Sequence, residues 1–359
     1  MRKWKFMFVT GALAILICTF SCGSYSPVES LPQEGIVDIH CHVAGIGAGG
    51  SGCFISDNVR KNWRFRLFMW GFGVSERELL EKGDGLVVDR MYELLNKSEF
   101  IEKAVVLAMD GVVSDGLLDT SRTVFYVPNE FVADAVVKHR DKMLFGASVN
   151  PYRKDALDRL VWAKRKGAVL VKWLPSIMNI DPSDPKIKPF YEKLVELKLP
   201  LLTHTGNELS FPFPIDELAD PEKLDLPLSM GVKVIAAHIA STGTYQGEQS
   251  VNRLARMMRK YPNLLYADIS SLTQVNRLGH MKEALTRLEF KGRLFYGSDF
   301  PLINIGPLVS PWYQICRLIP REIIPISSLN NPWDRDIKIK QALGTPADAF
   351  ARSREFLER

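Results

Sequence analysis

Short apolar runs alternate with amphipathic runs from residue 35 to the end of the chain. The apolar runs are rich in Val, Ile and Leu and are bounded by polar or Gly residues, which is typical of buried strands. They predict eight strands, over residues 35–40, 103–109, 143–149, 168–173, 200–203, 232–237, 264–267 and 293–296. Apolar residues at helical spacing predict helices over residues 129–139, 155–166, 186–197, 248–261, 274–288 and 346–357.

Strands that alternate with helices predict βαβ units and a parallel sheet. Eight strands in a chain of 359 residues fit an α/β fold of the (β/α)8 TIM-barrel type, with the active site at the C-terminal strand ends. A doubly wound open sheet is the alternative, but no Gly-rich phosphate loop opens a helix directly after strand one. The long segment 41–98 predicts a helical cap inserted after strand one, and the proline-rich stretch before the last helix predicts loops. Residues 35–359 are expected to form the barrel domain.

A targeting segment is predicted before the barrel. Arg2, Lys3 and Lys5 precede an apolar stretch over residues 6–20, and the first acidic residue is Glu29. This order is typical of a secretory signal peptide, here residues 1–21. The apolar stretch is shorter than the roughly 20 residues that a membrane span needs, although a signal anchor would have the same flanks.

The end of this segment, Ser21-Cys22, resembles the lipobox of bacterial lipoproteins. The resemblance implies that Cys22 is the first mature residue and is lipidated, so that the protein is attached to a bacterial membrane. Ordinary cleavage near Ser21, with Cys22 incidental, is the alternative. In either case we expect an exported protein, periplasmic or membrane-attached.

The targeting segment changes the meaning of the net charge. The chain has 46 basic and 41 acidic residues, a formal charge of +5. Three basic residues and no acidic residue lie in the signal, so the mature chain has 43 basic against 41 acidic residues, or +2. This balance gives no ground for a nucleic-acid partner, and the expected partner is a small-molecule substrate. Besides Cys22, the mature chain has Cys41, Cys53 and Cys316, which show no spacing typical of a disulfide framework. Cys41 could pair with Cys53, but both are expected to be buried free thiols.

Four of the six histidines stand at the ends of predicted strands. His40 and His42 close strand one, His204 closes strand five and His238 closes strand six. Residues two apart on a strand point to the same side, so His40 and His42 present two imidazoles to one point, which suits a divalent metal. One such histidine alone would be structural more often than not, but four at one barrel mouth predict a metal site.

Two charged residues are expected to join these histidines. Asp299 follows strand eight, and Lys172 ends strand four among apolar residues. Burial of an unpaired ammonium group is costly. Lys172 therefore reaches solvent, pairs with a carboxylate such as Asp299, or reacts with carbon dioxide to form a carbamate that bridges two metals.

The order of these residues resembles the amidohydrolase superfamily, in its amidohydrolase-related (amidohydrolase 2) branch. The stretches 171–175, 202–206 and 296–301 are also similar to that branch. The resemblance covers residues 35–359 and implies a metal-bearing (β/α)8 barrel that hydrolyses amide or ester bonds. The matching metal ligands are His40, His42, Lys172, His204, His238 and Asp299.

The resemblance implies two alternative metal states. In two-metal members, the residues that match His204 and His238 bind the second ion and the residue that matches Lys172 bridges both. In one-metal members, the match to His204 is the fourth ligand and the match to His238 is a catalytic histidine. The sequence does not choose between them, and the presence of Lys172 favours two ions. Zinc is the expected metal, with manganese as the alternative.

The expected reaction is hydrolysis of an amide, ester or lactone bond of a small molecule by a metal-activated water, with Asp299 as the acid-base group. Asn207, Glu208 and Trp173 follow or end strands and are expected to bind the substrate. Asp268, at the end of strand seven, is at least as readily a loop or helix cap as a catalytic residue. A metal-dependent non-oxidative decarboxylase on the same barrel and a non-catalytic ligand-binding lipoprotein are the alternative functions.

Overall fold

The structure, a computed structural model, describes residues 29–357. Eight parallel strands form one sheet in which neighbours in the chain are neighbours in space. The strands are β1 Ile36–His42, β2 Ile101–Leu107, β3 Met143–Ala147, β4 Ala168–Trp173, β5 Leu201–Thr203, β6 Val234–Ala236, β7 Leu265–Asp268 and β8 Leu294–Phe295.

The sheet closes on itself through β1. Beyond the end of β8 the backbone runs beside β1, where the His42 N–H donates to the Phe300 carbonyl at 2.8 Å. The Asp299 N–H donates to the His40 carbonyl at 2.9 Å. These bonds complete the barrel, so the predicted (β/α)8 fold is confirmed. They also hold Asp299 beside the two histidines of β1.

Helices surround the barrel, and four of those in the described residues lie in the cap between β1 and β2. The helices are α1 Asp57–Arg60, α2 Trp63–Phe72, α3 Glu76–Lys82, α4 Gly85–Asn96, α5 Asn129–Lys138, α6 Ala156–Arg165, α7 Pro175–Met178, α8 Lys188–Glu196, α9 Asp225–Ser229, α10 Ser250–Lys260, α11 His280–Thr286, α12 Pro320–Ser327, α13 Pro332–Ala342 and α14 Ala347–Leu357.

Two helices replace the loops that the proline-rich stretch predicts. Helices α12 and α13 begin at Pro320 and Pro332, the first helical position, where proline lacks only an N–H that has no helical partner. The prediction of loops is therefore wrong there. The predicted helix 274–288 is divided, because Gly279 with a φ of 103° separates a 3-10 turn, Val275–Arg277, from α11.

The core has two layers. Side chains such as Ile39, Leu107, Leu170 and Phe295 fill the barrel centre. A larger apolar cluster fills the space between the strands and the helices. Cys41 and Cys53 are buried and free, as expected. The predicted signal peptide, residues 1–21, and Cys22 lie outside the described residues. No helix between residues 29 and 357 is long and apolar enough to cross a bilayer.

Candidate active site

An irregularity in β1 brings both of its histidines into the barrel. The pairing of β1 with β2 shifts between Asp38 and Cys41. Ile39 packs in the barrel centre, and the shift allows His40 to face the interior as well. The Nε2 atoms of His40 and His42 are 3.2 Å apart, so the two imidazoles meet at one point.

The Asp299 carboxylate completes this point. Its Oδ1 lies 3.6 Å from His40 Nε2 and 3.4 Å from His42 Nε2. Its other oxygen accepts a hydrogen bond from the Ser271 hydroxyl, which in turn accepts from Gln274 Nε2 at 2.8 Å. Asp299 has a φ of 63°, an uncommon backbone conformation for a residue other than glycine. The structure thus fixes one carboxylate oxygen and directs the other toward the two imidazoles.

Lys172 lies inside the same cluster. Its side chain is fully buried, and Nζ is 2.9 Å from His40 Nε2. Burial lowers the pKa of Lys172 to about 8, so a larger fraction of this amine is neutral at pH 7 than in an exposed lysine. Burial, and then the nearby Lys172 charge, lower the pKa of His40 to about 4. His40 is therefore a neutral imidazole, the form that binds metals.

Asp268 at the end of β7 orients two of the histidines. Its Oδ2 lies 2.8 Å from His40 Nδ1, and its Oδ1 accepts the His238 backbone N–H at 2.8 Å. The Ser270 hydroxyl lies 2.8 Å from His238 Nδ1. Burial alone would raise the pKa of Asp268, but the neighbouring His40 more than offsets this, and the pKa is lowered. An ionised carboxylate on Nδ1 leaves His40 Nε2 to face the cavity.

His204 and His238 lie across from β1. The His238 ring is 5.1 Å from the His40 ring and 5.2 Å from the His204 ring, measured between centroids. Burial lowers the pKa of both His204 and His238, so both rings are neutral. His204 Nε2 is buried without a hydrogen-bond partner, and Glu208 Oε2 is 3.6 Å away.

These donors fit a divalent metal ion. Neutral imidazoles and an ionised carboxylate are the ligand types that zinc and manganese sites use. Among the described residues, His40, His42 and Asp299 form a group whose ligand atoms all lie within 4.8 Å of one another. His204 Nε2, which has no hydrogen-bond partner in the protein, is a further nitrogen that could bind the metal.

The cluster lies at the base of a cavity of about 280 Å³. Helix α2 forms its apolar roof with Phe65, Phe68, Met69 and Phe72. Glu208, a substrate contact predicted from the sequence, lines the cavity. The segment after β7 adds polar lining residues that the sequence does not mark as functional, because they stand within a predicted amphipathic helix or next to it. They are Ser271, Gln274, Asn276 and Arg277.

Two predicted substrate contacts are not brought to this cavity. Lys172 faces the barrel interior, so its neighbour on the strand, Trp173, faces outward. Trp173 is fully buried 5.3 Å from the Phe190 ring of α8, and its Nε1 donates to the Val149 carbonyl. Asn207 is held by its backbone in the loop, where its N–H donates to the Thr242 carbonyl at 3.2 Å. Neither Trp173 nor Asn207 lines the cavity.

Comparison with known proteins places the chain in a family. Residues 37–350 match the family model Amidohydro_2, described as amidohydrolase. The chain therefore belongs to the amidohydrolase family, as its sequence motifs suggested, and this membership supports an enzyme. No curated protein matches the sequence.

Solved structures resemble this chain at low sequence identity. One is an uncharacterised TIM-barrel protein from Bordetella bronchiseptica, 17% identical with a TM-score of 0.54, covering 91% of this chain and 100% of that one. Another, from Pseudomonas putida, is a candidate 2-pyrone-4,6-dicarboxylic acid hydrolase, 14% identical with a TM-score of 0.50, covering 90% and 97%. A third is a manganese-bound 5-carboxyvanillate decarboxylase from Novosphingobium aromaticivorans, 12% identical with a TM-score of 0.49, covering 91% and 98%.

Proposed function

We propose that this protein is a metal-dependent hydrolase that cleaves an amide, ester or lactone bond of a small molecule. The observation that carries the proposal is the convergence of His40 Nε2, His42 Nε2 and Asp299 Oδ1, which lie 3.2 to 3.6 Å from one another. They meet at the C-terminal end of the barrel, where active sites of this fold are built. Apolar side chains of α2 line the same cavity and offer a surface for an apolar part of the substrate.

His40, His42 and Asp299 would hold one ion, and His204 and His238 offer imidazoles from the facing strands. A bound divalent ion lowers the pKa of a water molecule toward about 7 and polarises a carbonyl group. Zinc fits a donor set of imidazoles and a carboxylate, and manganese is the alternative.

Asp299 is the proposed acid-base group. Burial alone would raise the pKa of Asp299, but the hydrogen bond that its carboxylate accepts from His42 and the nearby imidazoles more than offset this, and the pKa lies well below its usual value. The carboxylate is therefore ionised at neutral pH. It takes a proton from the attacking water and gives it to the leaving nitrogen or oxygen.

In this proposal, the number of bound ions depends on whether Lys172 is carboxylated. Its neutral amine would attack carbon dioxide, form a nitrogen–carbon bond and release one proton, leaving a carbamate with one negative charge. Such a carbamate would bridge two ions. A metal-dependent non-oxidative decarboxylase with one ion is the second candidate function. In that case Lys172 stays an amine, and its Nζ lies 2.9 Å from His40 Nε2.

The test is metal content together with product analysis. The purified protein is loaded with zinc or manganese, and bound metal per chain is measured by mass spectrometry. We expect one or two ions in the wild type and a loss of metal in His42→Ala, with His280→Ala on α11 as the control. Amides, esters, lactones and aromatic carboxylates are then screened for hydrolysis and for carbon dioxide release. A protein that stays metal-free after loading contradicts the proposal, and carbon dioxide without hydrolysis favours the decarboxylase.

We also propose that the protein is exported and, through Cys22, attached to a bacterial membrane. The N-terminal sequence pattern supports this proposal. Fractionation of cells that express the wild type or Cys22→Ser tests it, because loss of the lipid moves the protein from the membrane to the soluble fraction. Equal membrane attachment of both proteins contradicts lipidation of Cys22.

A further inference from the structure

Arg277 is a buried cation without an ion-pair partner. The residue is 6% exposed and ends the 3-10 turn after β7. Its Nη1 donates to the Ser241 hydroxyl, whereas its Nε has no hydrogen-bond partner. Among residues 29–357, no carboxylate oxygen lies within 4.0 Å of its guanidinium nitrogens. The carboxylates of Asp299, Glu208 and Asp268 attract the guanidinium only from beyond that distance, and burial outweighs their attraction, so the pKa of Arg277 is lowered.

Another buried arginine of this chain, Arg253, pairs with a carboxylate of the protein. Arg253 is 4% exposed, and its Nε and Nη2 donate to the two oxygens of Asp220 at 2.9 and 2.8 Å. Arg277 presents the same Nε edge without such a partner. Because the Nε and Nη2 donors of arginine match the two oxygens of a carboxylate, this edge is suited to a ligand that brings its own carboxylate.

The position of Arg277 points to the substrate as that ligand. Arg277 lines the same cavity as His204 and Asp299. Its charge contributes to the lowered pKa of His204, where burial is the larger cause, so the guanidinium lies within electrostatic reach of the metal-binding cluster. The apolar roof of α2, with Phe65 and Phe68 among its residues, lines the same cavity.

We infer that Arg277 binds the carboxylate of the substrate, and that the substrate is a small organic acid with an apolar body. The apolar body lies under the roof of α2, and the bond that reacts lies at the metal-binding cluster. Ser241, which accepts from Nη1, is a positioning residue for the guanidinium. The inference rests on the proposed function for the reacting bond, but the carboxylate subsite itself can be tested without turnover.

The test compares two probes of the same shape that differ in charge. They are 3-phenylpropanoate and the neutral ketone 4-phenylbutan-2-one, which cannot be hydrolysed. The affinity of each probe is measured by calorimetric titration of the metal-free protein, so that direct binding of the carboxylate to a metal cannot contribute. We expect the wild type to bind the carboxylate about tenfold or more tightly than the ketone, since hydrogen bonds between charged groups are strong. Arg277→Gln should lose this preference while its affinity for the ketone changes less than about twofold.

A second variant and a spectroscopic signal of the wild type keep the test valid if Arg277→Gln misfolds. Arg277→Lys keeps the charge but lacks the fork of donors, so it should keep only part of the preference. In the 15N-labelled wild type, the Arg277 Nε–H resonance, assigned by its loss in Arg277→Lys, should shift with 3-phenylpropanoate and not with the ketone. Equal binding of both probes by the wild type, or an unchanged preference in Arg277→Gln, overturns the inference.

The outcomes separate this inference from the proposed function. A protein that prefers the carboxylate through Arg277 but retains no metal contradicts the hydrolase and leaves the arginine subsite in place. A metal-loaded hydrolase whose two probes bind equally contradicts the subsite alone.

Discussion

Oδ2 of Asp268 lies 2.8 Å from Nδ1 of His40, and the other oxygen of the same carboxylate accepts the backbone N–H of His238 at 2.8 Å. One side chain on β7 therefore positions a histidine of β1 and a histidine of the turn that follows β6. A carboxylate behind a metal-binding imidazole fixes both its tautomer and its direction.

Substitution Asp268→Asn should weaken metal binding without removing a proposed ligand. We expect the dissociation constant of zinc to rise by about 10- to 100-fold, the usual effect of removing such a hydrogen-bond partner. Titration against a chelator of known affinity measures it. The control is Asp110→Asn, because Asp110 pairs with Arg153 at 2.7 Å outside the cavity. Equal zinc affinity in Asp268→Asn and wild type would show that packing alone orients His40.

Asp299→Asn tests the acid-base role. The amide keeps the shape of the side chain but is not a base, so turnover should fall by about 10²- to 10⁴-fold. Ser271→Ala, which removes the hydroxyl that donates to Asp299, should cause a smaller fall. Steady-state rates of the two metal-loaded variants measure the difference. Turnover near the wild-type value in Asp299→Asn would exclude this role.

The metal-free protein should lose stability in acid through its buried imidazoles. His40 has an ordinary pKa of 6.5 and a pKa of about 4 in the folded protein. Between pH 6.5 and 4 the unfolded chain therefore binds a proton that the folded protein does not, and the free energy of unfolding falls as the pH falls. His40 alone contributes up to about 3 kcal/mol.

Urea denaturation of the metal-free protein at a series of pH values measures this slope. His40→Gln should flatten it, and His280→Gln, on α11, should leave it unchanged. A slope that does not respond to His40→Gln would assign the acid sensitivity to other groups.

Lys172 should carry a carbamate when the protein is loaded with zinc in the presence of bicarbonate. The buried amine, with a pKa of about 8, is available in its neutral form near pH 8. Labelling with 13C-bicarbonate should give a carbamate carbon signal in the wild type that is absent in Lys172→Met. The absence of this signal in a zinc-loaded, active wild type would establish the one-metal state.

Gly243 in the loop after β6 supports the loop that carries Glu208. Gly243 has a φ of 87°, and a Cβ atom built there would lie 1.9 Å from Asn207 Oδ1. Gly243→Ala should lower the free energy of unfolding by about 2 kcal/mol or more, through both backbone strain and this overlap. Gly247→Ala is the matched control, because Gly247 has a φ of 81° and open space around it. Equal losses in the two variants would show that the overlap is relieved at no cost.

The strands of this barrel could be predicted from the sequence because they are short and mostly apolar. β4 begins and ends where its pattern predicts, at residues 168 and 173, and the even spacing from Leu170 to Lys172 predicts which side chains face inward. The same alternation places Trp173 on the outward side of β4, away from the cavity. This position could also have been predicted from the sequence alone.

Other features depend on contacts between distant segments, which no local pattern records. Asp268 and His40 are 228 residues apart in the chain, and Asp268 alone could equally be a cap. Arg277 stands in a predicted amphipathic helix, where arginine is usually solvated, and only the fold shows that it is buried and that its Nε has no hydrogen-bond partner. Helices α12 and α13 were missed because proline at a first helical position has the same sequence signal as proline in a loop.

The hydrogen bond from the Asp299 N–H to the His40 carbonyl joins the first and last parts of the barrel. A folding intermediate that lacks this contact also separates Asp299 from the imidazoles of His40 and His42. High-affinity metal binding would then appear only in the last step of folding. The time course of zinc uptake during refolding would therefore report when the barrel is complete. A nascent chain would remain unable to capture metal until residues beyond 299 had been synthesised.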